Sequence, residues 1–586
     1  MANYFEQALP EAKKQAKVKS LKISAMASRA ELPQGQLDAL IALFSQGRLV
    51  EVAKLSTSMV AEYPDTPILH NILGAANAGL HNVEGAIESF KKALQINPDY
   101  AEAHNSLGIV LQSQGRFDEA IASYERALQI KPDLVEAHNN LGAALRHQGR
   151  LDEAIASFGK ALKIDPRFAE SYNNLGTALK DQGRLTEAVS SFGKALQINP
   201  RFAEAYNGLG VVLQEQDRPF EAIASFGRAI SFNSGYVEAY LNRAIAQTEM
   251  CLFDEAMASY DRALALDPNY ASASWNRANL LLLLGKFEEG FQQYENRESL
   301  KSFRQSRPYR QPLWSEGIGI SGKVLLICRE LYLGDMIQFS RYAKLAEARG
   351  ARVIISAQDC LRELLQGLGP AVEIVPDKFQ PDYFDYHIPL MSLPLMFKTV
   401  LETIPQQVPY LHADRARVEQ WRKRLGDRGF KIGICWQGSK LSTDKKRSFP
   451  LSEFHNISQL PDVRLISLQK SDGLEQLAQM PAGMMVESLG DDFDAGGQAF
   501  LDTAAVMKNL DLVITCDTAI AHLAGALAIP TWVVLKQVPD WRWLLARSDS
   551  PWYPTVRLFR QTERGVWGTA FAQMERALIS KLGSET

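Results

Sequence analysis

Apolar positions recur at helical spacing through the first half of the chain, and the pattern breaks every 34 residues. The breaks fall at Pro64, Pro98, Pro132, Pro166, Pro200 and Pro268, with Ser234 in the proline's place between the last two. Proline cannot continue a helix, and a fixed period of this length marks a stack of helix pairs rather than one globular core. In the type unit, residues 101–134, Gly108 stands where two helices cross closely, and Ala120, Tyr124 and Ala127 line the inner face of the second helix. The same slots hold Gly142, Ala154, Phe158 and Ala161; then Gly176, Ala188, Phe192 and Ala195; then Gly210, Ala222, Phe226 and Ala229. Hairpins that bury their apolar faces only against their neighbours need small residues at the crossings and one aromatic per unit. Leu40, Val52 and Ser56 fill the slots of the first unit, and Ala244, Ala278 and Gly290 depart from the pattern near the end, as capping units do. The expectation is an all-α solenoid of about eight repeats over residues 33–304, after a lead-in at 1–32.

Beyond residue 320 the period changes from helical pairs to short apolar runs that alternate with helical segments. KVLLICRE (323–330), ARVIISA (351–357) and VEIVP (372–376) read as strands of one sheet. FKIGICWQG (430–438), VRLISLQ (463–469), MMVESLG (484–490), DLVITCDT (511–518) and TWVVLK (531–536) read as strands of another. Strands separated by helices of this length predict parallel, doubly wound sheets. The predicted organisation is a linker at 305–320, a Rossmann-like lobe at 321–410 and a second at 411–586 that ends in a helix. Ligands of such sheets bind beyond the strand C-termini, which directs attention to the loops there.

The net charge of −3 and the pI near 6.4 provide no global field for nucleic acid or an acidic membrane. The basic stretch KSFRQSRPYRQ (301–311) reads as a solvated linker or strap. Five scattered cysteines without a CxxC pair fit reduced thiols and a cytoplasmic address. The N-terminus has no apolar segment of signal-peptide length, and no run of 18 apolar residues occurs, so no membrane insertion is expected.

Three loops carry candidate chemistry. In VITCDTAIAHLAGA (513–526) a buried strand ends at Asp517 and a helix begins at Thr518, leaving the N–H groups of Ala519 and Ile520 available to an anion such as phosphate. Asp517 can accept hydrogen bonds from sugar hydroxyls, and His522 lies one turn on; ordinary helix capping and an interior histidine account for the same residues. In CWQGSKLSTDKKRSFP (435–450), Gln437, Ser439 and Ser442 are hydrogen bonders, and Lys445, Lys446 and Arg447 are a cation run of which Arg447 suits bidentate phosphate recognition. In ELYLGDMIQFSRY (330–342), Asp335 stands at a helix start, as either a general base or an N-cap.

The motifs GDMIQFSRY, CWQGS through RSFP, DTAAVMKNLDLVITCDTAIAHLAGAL (502–527) and DWRWLLARSDSPWYPTVRLFRQ (540–561) resemble those of bacterial tetratricopeptide glycosyltransferases. Their catalytic body is similar to the ADP-heptose:lipopolysaccharide heptosyltransferases of glycosyltransferase family 9. The resemblance implies a GT-B-type, metal-independent, inverting enzyme with no cofactor, whose nucleotide-sugar is a co-substrate. It makes Asp335 the general base and puts Arg447 in place of a phosphate-binding lysine. It matches Asp517 and Thr518 to the family's Asp-Thr pair and His522 to the histidine that follows, with Gln437, Ser439 and Ala519 beside the donor. The chain departs from the family at Tyr332 and Ala519, where glycine is usual.

Asn71, Asn105, Asn139, Asn173 and Asn207 recur in register, each three residues before a repeat glycine, with Asn140, Asn174, Asn242 and Asn276 in a second row. The row resembles the asparagine ladder of the eukaryotic O-GlcNAc transferase, which implies a peptide held along the repeats; bonds between neighbouring repeats account for the same spacing. Soluble flagellin glycosyltransferases have the same order of parts, which makes flagellin the candidate acceptor. A lipid-linked or polysaccharide acceptor and a catalytically inactive scaffold are the alternatives.

Overall fold

The computed structural model describes residues 32–300, 309–330, 332–377, 381, 383–439, 446–497 and 500–584. The lead-in before residue 32, most of the basic strap, and Ser442 and Lys445 lie outside the described residues. Among the described residues sixteen helices come first: α1 (Gln34–Ser45), α2 (Leu49–Glu62), α3 (Pro67–Gly79), α4 (Val83–Ile96), α5 (Ala101–Ser113), α6 (Phe117–Ile130), α7 (Val135–His147), α8 (Leu151–Ile164), α9 (Ala169–Asp181), α10 (Leu185–Ile198), α11 (Ala203–Glu215), α12 (Pro219–Phe232), α13 (Val237–Glu249), α14 (Phe253–Leu266), α15 (Ala271–Leu283) and α16 (Phe287–Tyr294).

The repeat slots are filled as the pattern requires. Ala120, Tyr124 and Ala127 are fully buried, as are Ala154, Phe158 and Ala161. A Cβ added at Gly108 would lie 2.5 Å from the Tyr124 ring, and one at Gly142 would lie 2.7 Å from Phe158, so only glycine lets the two helices of a unit approach this closely. The turn into each unit is tied by a side chain: His70, His104 and His138 donate from Nε2 to the carbonyls of Pro64, Pro98 and Pro132 at 2.8, 3.0 and 2.9 Å. Arg116, Arg150, Arg184 and Arg218 each fork onto a glutamate three residues on, at 2.7 Å. These pairs are exposed, so solvent screens them and they add little to the four second helices that carry them.

Gly108→Ala should lower the unfolding midpoint of the helical signal at 222 nm, costing about 1–3 kcal/mol through overpacking against Tyr124. Gly159 has open space where its Cβ would go, so Gly159→Ala should stabilise by roughly 0.5–1 kcal/mol through helix propensity. Equal shifts in the two variants would remove the steric account of the crossing glycine.

The chain divides into two compact units, residues 1–246 and 247–586. The first holds α1 to α12 and most of α13. The second begins within α13 and contains α14 to α16 together with the α/β body. The division therefore precedes the end of the repeat pattern expected at residue 304, and the packing shows why. Phe287 and Phe291 of α16 meet the edge of Trp541 at 6.5 and 5.6 Å between ring centroids. In the turn Glu295–Ser299 the buried Arg297 donates to Glu330 (2.9 Å), Glu295 (2.8 Å) and Ser392 (2.9 Å). Glu330 in turn accepts from the Met391 amide at 2.6 Å.

Two parallel sheets form the body. The first, in the order β3-β2-β1-β4, is made of β1 (Val324–Cys328), β2 (Arg352–Ala357), β3 (Val372–Pro376) and β4 (Tyr386–Pro389). The second, in the order β10-β9-β8-β5-β6-β7, is made of β5 (Phe430–Cys435), β6 (Val463–Ser467), β7 (Val486–Glu487), β8 (Leu512–Cys516), β9 (Thr531–Leu535) and β10 (Val556–Arg560). Helices α17 (Leu333–Phe339), α18 (Tyr342–Ala348), α19 (Arg415–Leu425), α20 (Leu501–Met507), α21 (Ala519–Ala526) and α22 (Gly568–Ser584) accompany them. The pattern predicts one helix over 334–350, whereas α17 and α18 are separate. They part at the buried Arg341, which donates to the carbonyls of Gln338, Pro405 and Trp552 and to the Tyr410 hydroxyl. No helix among the described residues is long and apolar enough to cross a membrane.

Candidate active site

Each sheet reverses its winding at one place, between β1 and β4 in the first and between β5 and β8 in the second. Connections leave such a switch point toward opposite faces and open a crevice at the strand C-termini. The loops after β1, β5 and β8 are the three that carry Asp335, Arg447 and Asp517.

On the second sheet, β8 ends at Cys516, and Asp517 and Thr518 lead into α21. The Thr518 hydroxyl turns back to Thr515 Oγ1 (3.2 Å) and the Cys516 carbonyl (3.5 Å), so no side chain caps the helix. The first N–H groups of α21, those of Ala519 and Ile520, then have no intrahelical acceptor. Asp517 is buried, and its Oδ2 lies 3.8 Å from Arg447 Nη1 across the switch point. Burial holds the Asp517 carboxyl above its ordinary pKa, Asp540 adds to the shift, and Arg447 opposes it.

Other predicted donor residues are engaged within the protein. Gln437 accepts through Oε1 from Gln476 at 3.0 Å, and Ser439 is exposed at the edge of the loop. The His522 ring is buried: it stacks on Trp543 at 5.4 Å and shares a 3.1 Å hydrogen bond with the Tyr553 hydroxyl. Burial and the nearby Arg542 push its pKa down to about 3, so it is a neutral packing group.

Asp335 lies in the first turn of α17. The preceding Gly334 packs on α21, where an added Cβ would come within 3.0 Å of His522 and 3.7 Å of the Ala519 Cα. The starts of α17 and α21 therefore meet. Arg542 Nη2 donates to Asp335 Oδ1 at 2.6 Å, and its Nη1 donates to Asp540 at 2.8 Å. The guanidinium also lies over Trp541, 4.5 Å from the ring centroid. Burial pushes the Asp335 carboxyl up to about 6 against the pull of Arg542. Against its own burial, Asp540 is held below its ordinary value by Arg542. Arg542 and Asp540 carry no role in the sequence pattern itself; in the DWRW block Arg542 stands between two tryptophans and Asp540 precedes them, a short way beyond β9. Among the described residues no cluster of three or more His, Cys, Asp or Glu side chains is arranged to hold a metal ion.

The asparagine row is largely engaged between repeats. Asn105, Asn139 and Asn207 are buried, and each accepts at 3.0 Å from the second-row asparagine of a following repeat, namely Asn140, Asn174 and Asn242. Asn139 also accepts from Ser171 at 3.0 Å. At Asn173 the rung is missing because Gly208 stands in the partner's place, and Asn173 donates to its neighbour Asn174 at 3.4 Å. Asn71 has Ser106 in that position. A ladder offering these amides to a peptide is therefore corrected at Asn105, Asn139 and Asn207, where the side chains bind repeat to repeat.

Family models described as tetratricopeptide repeat match residues 105–167 and 157–190, and one described as TPR repeat matches 82–115, 176–217 and 253–285. Protein FlbA of Caulobacter vibrioides is 29% identical over 294 residues, covering 45% of this chain and 48% of that protein. The chain thus spans about half the length of the curated relative it matches. Among solved structures, MamA is 30% identical over 28% of this chain and 96% of its own, with a TM-score of 0.26. YrrB, described as a TPR protein with an unusual peptide-binding site, is 23% identical over 32% of this chain and 97% of its own, with a TM-score of 0.27.

Proposed function

We propose that the protein transfers a sugar from a nucleotide-activated donor to a protein acceptor recruited by its tetratricopeptide repeats, in the cytoplasm and with inversion at the anomeric carbon. The observation that carries this reading is the meeting of the α17 and α21 helix starts. It sets a largely covered carboxyl that burial pushes up to about 6, Asp335, beside a helix start whose amides suit a phosphate. Asp335 takes the proton of the acceptor hydroxyl as that oxygen attacks the anomeric carbon, and the sugar–phosphate bond breaks on the opposite face. Arg447 and the N–H groups of Ala519 and Ile520 stabilise the negative charge that develops on the departing phosphate. Arg542 fixes the direction of the Asp335 carboxylate. Solenoids of this kind offer extended surfaces to polypeptides, which supports a protein acceptor, and flagellin is the first to test.

The test pairs donor binding with product mass. Arg447→Ala removes a charge-assisted contact worth about 1.5–3 kcal/mol, so affinity for the nucleotide-sugar should fall roughly tenfold to more than a hundredfold while the unfolding midpoint stays put. Wild-type protein incubated with a panel of nucleotide-sugars and flagellin should add one sugar mass to the acceptor in intact-mass spectra. Normal donor binding by the Arg447 variant would place the phosphate elsewhere, and no mass shift with any donor would remove the transferase reading.

A further inference from the structure

Around the end of β9 the second unit gathers cations besides Arg447. Lys536 follows β9 directly, and the register Cys516↔Val534 carries it to the level of Thr518 on the adjacent strand. It is half-buried. The charges acting on it are those of Glu249, Arg447, Asp517 and Lys446, and burial lowers its pKa. Glu249, the last residue of α13, lies within this second unit. Its carboxylate takes Lys446 Nζ at 3.2 Å and Arg564 Nη2 at 3.1 Å. Arg564 is mostly buried, with Nη1 on the Met250 sulfur at 3.4 Å, and Glu249 keeps about a quarter of its side chain exposed. One carboxylate thus bridges two cations, and its charge also acts on Lys536.

We infer that Lys446, Arg564 and Lys536 form an anion site for a phosphate group, and that Glu249 occupies it as an internal counter-ion which an incoming phosphate displaces. One carboxylate bridges Lys446 and Arg564, and Lys536 adds a positive charge that the same carboxylate favours, so an anion entering there meets an excess of cations. Solvent reaches Glu249, so an anion that presents more acceptor oxygens can exchange with it. The inference rests on the proposal that this strand edge binds a phosphorylated ligand. It adds that a helix at the end of the repeat array sets the affinity there.

The probe is inorganic pyrophosphate, titrated calorimetrically into the full-length protein at fixed ionic strength. Glu249→Gln keeps the size of the side chain and removes its charge, so pyrophosphate should bind roughly five- to thirtyfold more tightly. Lys536→Gln should bind it at least about fivefold more weakly. Unchanged affinity in either variant, or weaker binding by Glu249→Gln, overturns the inference; a Glu249 that merely clamps α13 would lower the unfolding midpoint and tighten nothing. If Arg447→Ala still loses nucleotide-sugar while Glu249→Gln leaves pyrophosphate binding unchanged, this site fails and the proposed function stands. If the wild type binds neither pyrophosphate nor any nucleotide-sugar, both fail.

Discussion

Asp335→Asn is expected to lower turnover by a hundredfold or more and to leave the affinity for nucleotide-sugar within a factor of about two, because it removes a proton acceptor and leaves the phosphate contacts in place. Asparagine can still accept from Arg542, so the geometry of the α17 start should survive. The wild-type pH profile provides an independent check. The carboxyl is pushed up to about 6, and only its ionised form can take a proton. kcat/KM should therefore be flat above that value and fall about tenfold per pH unit below it. The acidic limb should vanish in the asparagine variant. A limb that persists there, or turnover within tenfold of wild type, would take Asp335 out of the mechanism.

The largest effect on stability is expected at Arg297. Its side chain has no exposure to solvent and neutralises Glu330, which is itself only 4% exposed. Arg297→Ala leaves that carboxylate buried and uncompensated, at a cost of about 3–5 kcal/mol. All nine tryptophans lie beyond residue 247, so tryptophan fluorescence reads the second unit selectively. The variant should unfold earlier by that signal. Arg297→Met combined with Glu330→Met should recover most of the loss, since an apolar pair replaces a buried ion pair at little cost. Failure of the double variant to recover would mean that the bonds to Ser392 and Met391 matter more than the charges.

The repeats were legible because their punctuation is steric: a proline that stops a helix and a glycine beneath an aromatic ring leave marks that no tertiary context erases. The loops that bear chemistry were legible too, since parallel strands deliver their C-termini to one edge and the apolar runs end there. The strands β4 and β10 are hard to see in the sequence because YHIP is four residues with a histidine and a proline, and VRLFR sets its arginines three apart, as an exposed helix face also does. The asparagine register was visible, but helical spacing does not say whether an amide meets a ligand or the next repeat; the second row, one residue further along, was the clue that neighbours would pair. Arg542 pairs with Asp335 from the far end of the chain, and no local pattern encodes such a meeting. His522 illustrates the same limit, because its surroundings come from two distant segments, Gly334 from one and Trp543 with Tyr553 from the other.

The change of compact unit within α13 has a practical consequence for remodelling the protein. Redirecting it to a new partner by exchanging the repeat array at residue 305, where the repeating pattern stops, would deprive Trp541 of Phe287 and Phe291 and Glu330 of Arg297. Trp541 adjoins Arg542, so the graft would disturb the Asp335 carboxylate without altering any residue of the crevice. A chimaera that retains α14 to α16 and takes its foreign repeats upstream of α13 would keep the native surroundings of that carboxylate, and the last helices of the array should be transplanted as part of the body they support.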